Sequence, residues 1–168
     1  PILKSCIETL KKPGRLKAIS LTVLDNGFDA IIIARTSLHK SDRNKLVDFA
    51  SSNNIIRLSE YVQTPELAHI PPSQLTTECL YDDGKAQINL AGIDIALPIG
   101  AFLQATLKGQ IAITNIVTEA LKECSQVADL YSGCGTYSFP LRQHVKNIAA
   151  FEGDEHMALA MHNAITNN

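Results

Sequence analysis

The sequence predicts an α/β protein in two parts: a small α+β domain, then the first part of a doubly wound parallel sheet that is left truncated. Three observations carry this. The first part alternates short apolar runs with turn residues such as Asp25-Asn26-Gly27 and Asp82-Asp83-Gly84. After Pro98 the order becomes long amphipathic helix, short apolar strand, glycine-rich turn, helix, strand and helix. That order then stops with two strands written, too few to bury a parallel sheet on both faces.

The elements follow in order. Ile2, Leu3, Cys6, Ile7 and Leu10 recur at helical spacing until Pro13-Gly14 ends the pattern. Lys17 to Leu24 and Phe28 to Ala34 read as strands of a hairpin. A helix follows, with Ser41 as expected N-cap, Asp42 in its first turn and Leu46, Val47, Phe49 and Ala50 as its apolar face. Asn53-Asn54 closes it, and Ile55 to Leu58 reads as a short strand. Three prolines between Thr64 and Pro72 predict an irregular connection. Leu80-Tyr81 and Ala86 to Leu90 read as a second hairpin about Asp82-Asp83-Gly84, and Ile93 to Leu97 as one more strand. The first part is thus expected to be α+β with antiparallel hairpins, with a boundary near Pro98 dividing residues 1–98 from 99–168.

In the second part, Leu107, Ile111, Thr114, Val117, Leu121 and Cys124 mark a helix from about Gln104 to Glu123. Val127 to Tyr131 is the first strand, Tyr137 to Gln143 a helical stretch, Asn147 to Phe151 the second strand, and Glu155 to Ala164 the last helix. The open sheet is expected to be completed by further sequence or by pairing of its edge with another copy.

Bulk properties narrow the function classes. The 168 residues are 45% hydrophobic and 19% charged, enough for a real core. No apolar run approaches the roughly 20 residues of a membrane helix, and the first residues are too polar for a secretory signal, so a cytoplasmic protein with no membrane partner is expected. A net charge of −2 does not mark a strong nucleic-acid binder. Net charge is silent on distribution, however. Two basic clusters, Lys11, Lys12, Arg15 and Lys17, then His39, Lys40, Arg43 and Lys45, read either as solvated faces or as a local patch. Cys6, Cys79, Cys124 and Cys134 have no metal-ligand spacing, and reduced thiols are expected.

The chemistry concentrates in Asp129 to Thr136, DLYSGCGT. Gly133 and Gly135 let backbone approach a ligand closely, and the turn leads into a helix whose first N–H groups lack partners. The third glycine of a dinucleotide loop is missing. Asp129 would repel a pyrophosphate but attract an ammonium, which favours an aminoacyl nucleoside over a dinucleotide. Glu152 ends the next strand, twenty-three positions after Asp129. An acidic residue at about that distance grips ribose hydroxyls in such folds.

These residues carry a resemblance. DLYSGCGTYSF at Asp129 to Phe139 resembles the S-adenosylmethionine motif of the RNA 5-methyluridine (uracil-C5) methyltransferases. Gly100-Ala101-Phe102-Leu103-Gln104 is similar to that family's Phe-x-Gln element. Phe151-Glu152-Gly153, Asn163-Ala164 and Ser41 to Leu46 also fit, and Pro1-Ile2-Leu3 resembles the stretch after the last cluster cysteine of iron–sulfur members. The resemblance implies S-adenosyl-L-methionine as cofactor and RNA, ribosomal or transfer, as partner. It implies that Gln104 contacts the cofactor, Tyr131 packs beside it, Thr136 follows the glycines, and Glu152 holds the ribose, with Asp129, Gly133 and Gly135 completing the set. Otherwise Gln104 reads as a surface residue, Tyr131 as core and Glu152 as a solvated acid. Ser132 replaces a common cysteine, and Cys134 is also atypical. In the family a cysteine nucleophile adds to uracil C6 and a carboxylate base removes the C5 proton. Both would follow a third strand, so no catalytic residue and no metal ligand is expected in this chain. The alternatives are a methyltransferase for another substrate class and a non-catalytic RNA-binding module.

Overall fold

The computed structural model describes residues 2–8, 10–11, 13–67, 77–84 and 86–167. Part of the proline-rich connection, Pro71 and Pro72 included, lies outside them, as do Pro1 and Lys12. The chain divides into two compact units, Pro1–Ala86 and Gln87–Asn168.

The first unit opens with helix α1 (Ile2–Glu8) and the hairpin β1 (Leu16–Leu24) and β2 (Gly27–Ala34), paired antiparallel as expected. Gly27 is obligatory in the turn: its φ is +155°, and an added Cβ would meet the Asn54 carbonyl oxygen at 2.5 Å. Helix α2 (Lys40–Ser52) leads to β3 (Ile55–Val62), which runs parallel to β2. The first unit therefore contains a β–α–β crossover, correcting the expectation of antiparallel hairpins alone. β3 is twice the expected length. It runs on past Leu58 through Ser59 and Glu60, polar residues that suit a surface and are nevertheless buried.

The burial of Glu60 is made tolerable by partners distant in sequence, since a buried charge is stable only when paired and hydrogen-bonded. Glu60 accepts the Leu38 N–H at 2.7 Å. Its other oxygen stands 2.7 Å from Arg43 Nε, an ion pair without hydrogen-bond alignment. Arg43 also donates both terminal nitrogens to Glu78. Arg57 donates to Asp29 at 3.1 and 2.6 Å. Above the sheet, Leu46 and Ala50 of α2 pack with Ala30, Ile32 and Leu58.

Two further expectations are corrected. The N-cap of α2 is His39, whose side chain makes no capping bond, and Asp42 turns inward to accept the Lys11 N–H at 3.1 Å. Strand β4 (Glu78–Asp82) pairs antiparallel with β3, giving the order β1-β2-β3-β4, and forms no hairpin with the strand that follows.

That strand, β5 (Gln87–Leu90), instead turns through Ala91-Gly92 into β6 (Ile93–Ala96). Both turn residues have positive φ, +53° and +88°, the conformation of a tight hairpin turn. This hairpin belongs to the second unit, so the division falls after Ala86 and not near Pro98. The reason is packing: Ile88, Leu90 and Ile95 are buried, and β6 packs against the last helix, α5 (Glu155–Thr166).

The rest of the second unit is helix α3 (Leu107–Leu121), strand β7 (Gln126–Leu130), short helix α4 (Ser138–Leu141), strand β8 (Asn147–Phe151) and α5. β7 and β8 pair in parallel, with Asp129 beside Ala150. Val127, Asp129, Ile148 and Ala150 share one face of the pair, the partly covered one. The other face, with Ala128, Leu130, Ala149 and Phe151, is open; Leu130 is 65% exposed and Phe151 56%. Helix α3 likewise buries no residue, although its apolar positions match the expected helix. Among the described residues no helix is long and apolar enough to cross a membrane.

Candidate cofactor site

The loop between β7 and α4 is shaped by three conformations that L side chains resist. Tyr131 (φ +59°), Gly133 (φ +58°) and Gly135 (φ +94°) all lie at positive φ. At Gly135 a Cβ would stand 2.6 Å from the Phe139 ring, so the glycine lets the loop fold down on the helix that follows. At Gly133 the nearest atom to such a Cβ is Met157 Cε at 3.5 Å, ordinary contact. The Ser132 N–H donates to the Phe151 carbonyl at 3.1 Å, extending the β7–β8 ladder by one step past the strand end.

Glu152 closes the site. Its Oε2 accepts the Gly133 N–H at 2.7 Å and its Oε1 accepts the Asp154 N–H at 2.8 Å. Each oxygen has a further lone-pair direction, so the carboxylate retains capacity for a vicinal diol. Asp154 caps α5, accepting from the N–H groups of His156 and Met157. The acid at the end of the second strand, the glycine loop and the start of α5 are thus tied together by one side chain.

Asp129, half-buried at the end of β7, accepts from Ser138 Oγ at 2.6 Å. Gln104 sits two residues before Thr106, the N-cap of α3, and so does not open the helix as expected. Its amide donates to the Tyr137 hydroxyl at 3.4 Å, which brings the Phe-x-Gln segment to the loop. Tyr131 is 90% exposed, so it is not a core residue. Cys134 is buried; burial pushes its thiol pKa up, a shift partly offset by the Thr136 hydroxyl. Thr136 is half-buried beside it. Sequence reasoning missed three supporting residues: Ser138, Phe139 and Asp154. Only Asp154 carried a readable signal, an acidic N-cap before an apolar helical run.

A cleft of about 650 Å³ runs along the helix-covered face of β8, lined by Phe139, Val145, Ile148, Ala150, Met161 and Ile165, with Ser132, Ser138 and Glu152 among its other walls. Of the seven expected site residues, only Glu152 lines it. The polar chemistry lies at the strand ends, where ligands bind in open α/β sheets, and the cleft extends beneath it.

A strand, a glycine loop and an acid at the end of the adjacent parallel strand define the first part of a doubly wound α/β sheet. Comparison with known proteins sharpens this. No family model matches the chain. It is 26% identical over 162 residues to an uncharacterized RNA methyltransferase of Zymomonas mobilis, covering 96% of this chain and 38% of that protein. It is 26% identical over 155 residues to the 23S rRNA (uracil(1939)-C(5))-methyltransferase RlmD of Vesicomyosocius okutanii, covering 91% of this chain and 34% of the relative. Among solved structures it resembles the Pyrococcus abyssi tRNA (uracil-54, C5)-methyltransferase in complex with S-adenosyl-L-homocysteine. There the TM-score is 0.67 at 18% identity, over 99% of this chain and 42% of that one. The structural likeness establishes the fold. The chain spans about a third of the length of the curated relatives it matches, and those relatives are RNA methyltransferases, as the motifs indicate.

Proposed function

We propose that this chain supplies the cofactor-binding half of an S-adenosyl-L-methionine-dependent RNA methyltransferase acting on C5 of uridine in ribosomal or transfer RNA. One observation carries the reading: the Glu152 carboxylate is bound at once to the glycine loop, through Gly133, and to the cap of α5. A rigid acid in that position suits a ribose diol. Gly133 leaves open backbone beside it, and Asp129 supplies a negative charge for the methionine ammonium. Gln104 and Tyr131 stand at the rim of the same loop and complete the proposed set with Gly135 and Thr136. When bound, the cofactor would supply an electrophilic methyl group. The chain's own residues would hold and orient it. Of the two compact units, the first is proposed to contact RNA and the second to bind the cofactor, and the proposed setting is cytoplasmic.

The residues of the family's nucleophile and base match no position here, so the chain alone is proposed to be inactive. The open face of the β7–β8 pair, with Leu130 and Phe151 exposed, is where further helices would pack, and the edge of the pair is where further strands or a second copy would add.

The test is calorimetric titration with S-adenosylhomocysteine of the chain, of Glu152→Ala, and of a longer form that adds the relatives' remaining strands. Binding in either parent, weakened at least tenfold by the substitution, is the expected result. No binding by the longer form would overturn the proposal.

A further inference from the structure

We infer that one end of the β1–β4 sheet is a contact surface for the phosphate backbone of single-stranded RNA, centred on Lys17, Arg35 and Lys40. The inference rests on the reading of the chain as part of an RNA methyltransferase, and it names the surface that such a partner would meet. The net charge of −2 conceals a sorting of charge by the fold.

Basic residues far apart in sequence are brought together by a chain of contacts. The Arg35 N–H donates to the Arg15 carbonyl at 2.8 Å, and the Arg15 guanidinium donates to the Ser37 carbonyl at 3.0 Å. Lys17 Nζ donates to Gln63 Oε1, and the Gln63 N–H to the Ala34 carbonyl at 2.9 Å. The Lys11 N–H donates to Asp42 in the first turn of α2. Lys11, Arg15, Lys17, Arg35 and Lys40 therefore share the end of the sheet where β1 begins, β2 and β3 finish and α2 starts. All but the half-buried Arg15 are exposed.

Their charge is available. Among the described residues none of these five side chains is paired with a carboxylate; the acceptors of Arg15 and Lys17 are neutral. Of the acids nearby, Glu60 and Glu78 are paired with Arg43; Asp42 is buried against the Lys11 N–H and Glu66 is exposed, so the five cations outnumber the two acids left without a cationic partner among the described residues. The first turn of α2 adds N–H groups that no side chain caps, and a helix start favours anions. At the other end of the sheet, Asp25 lies in the β1–β2 turn and Asp82 and Asp83 at the end of β4, all exposed. A unit polarised in this way orients a polyanion toward one end of its sheet.

Neutral acceptors and unpaired cations suit the phosphates of a flexible strand, for which binding weakens with salt by about 0.7 per contact on a double-logarithmic plot. Fluorescence anisotropy of the full chain with a labelled 20-nucleotide oligouridine, from low to moderate KCl, tests it. The variant K17Q/R35Q/K40Q should bind about tenfold or more weakly and lose about two units of salt slope. A control of equal charge change in the second unit, K108Q/K122Q/K146Q, should stay within about twofold of the parent. Equal losses in both variants would assign the binding to net charge and overturn the inference, as would no loss in either, or tighter binding of poly-glutamate than of RNA. S-adenosylhomocysteine titration of the same proteins separates the two readings. Cofactor binding without RNA binding sinks only this surface, and RNA binding without cofactor binding sinks only the cofactor site.

Discussion

Glu152 accepts the backbone N–H of Gly133 across the top of two parallel strands, at 2.7 Å. The bond makes the acid part of the loop's architecture as well as a candidate ligand. Its removal is therefore expected to act before any ligand arrives. Glu152→Ala should destabilise the second unit by about 1.5–3 kcal/mol, the range for hydrogen bonds to a charged group. Hydrogen exchange read at the Gly133 and Asp154 amides should show lost protection without cofactor. Glu152→Gln, which keeps one acceptor, should retain part of it. Unchanged protection in the alanine variant would show that the carboxylate does not hold the loop.

The two glycines of the loop should differ in their tolerance. Gly135→Ala meets both a positive φ and a ring 2.6 Å from the new methyl, so strain adds to overpacking, about 2–4 kcal/mol in all. Gly133→Ala meets the φ term with ordinary contact only, about 1–2 kcal/mol. Urea denaturation of both variants checks the order, and a Gly133 variant less stable than the Gly135 variant would contradict it.

What the sequence disclosed, and what it hid, divides along the range of the interactions. The loop and Glu152 were readable because their geometry is local: two glycines, a strand end and a fixed distance to the next strand end. The β1–β2 hairpin was readable from Asn26-Gly27 for the same reason. The pairing of β3 was not, because Arg57 and Glu60 look solvated until Asp29, Leu38 and Arg43 are brought to them by the fold. Ala91 at positive φ hid the true second hairpin, since alanine is not the residue such a turn favours. The exposed face of α3 was invisible in another sense: periodicity shows that a helix has an apolar side, not that anything covers it.

The buried acid of the first unit gives a prediction of its own. Glu60 satisfies the Leu38 N–H and lies against Arg43. Glu60→Leu would leave a buried donor without an acceptor and deprive Arg43 of one of its two carboxylates. A loss of about 2–4 kcal/mol is expected by chemical denaturation, because orphaning a partner costs more than the bond contributes. A variant as stable as the parent would mean that the segment at Leu38 relaxes to water.

The thiols predict how stability depends on pH. Burial raises the pKa of Cys134 and of Cys6 above the ordinary thiol range, so each stays protonated in the folded chain at a pH where the unfolded chain begins to ionise. The folded state then binds more protons than the unfolded one, and stability must fall as pH rises. The contribution is complete below the unfolded value of about 8.5 and is lost progressively above it, toward the raised native values. Its steepest slope is about 1.4 kcal/mol per pH unit for each thiol. Urea midpoints measured between pH 7.5 and 9.5 should decline, and Cys134→Ala should flatten the decline in the transition of the second unit, whatever it does to stability at neutral pH. The same burial predicts that a thiol reagent labels exposed Cys79 and Cys124 in the native chain and reaches Cys6 and Cys134 only on unfolding. An unchanged slope in the alanine variant, together with rapid native labelling of Cys134, would mean that the glycine loop opens to solvent far more readily than its hydrogen bonds to Glu152 and Phe151 imply.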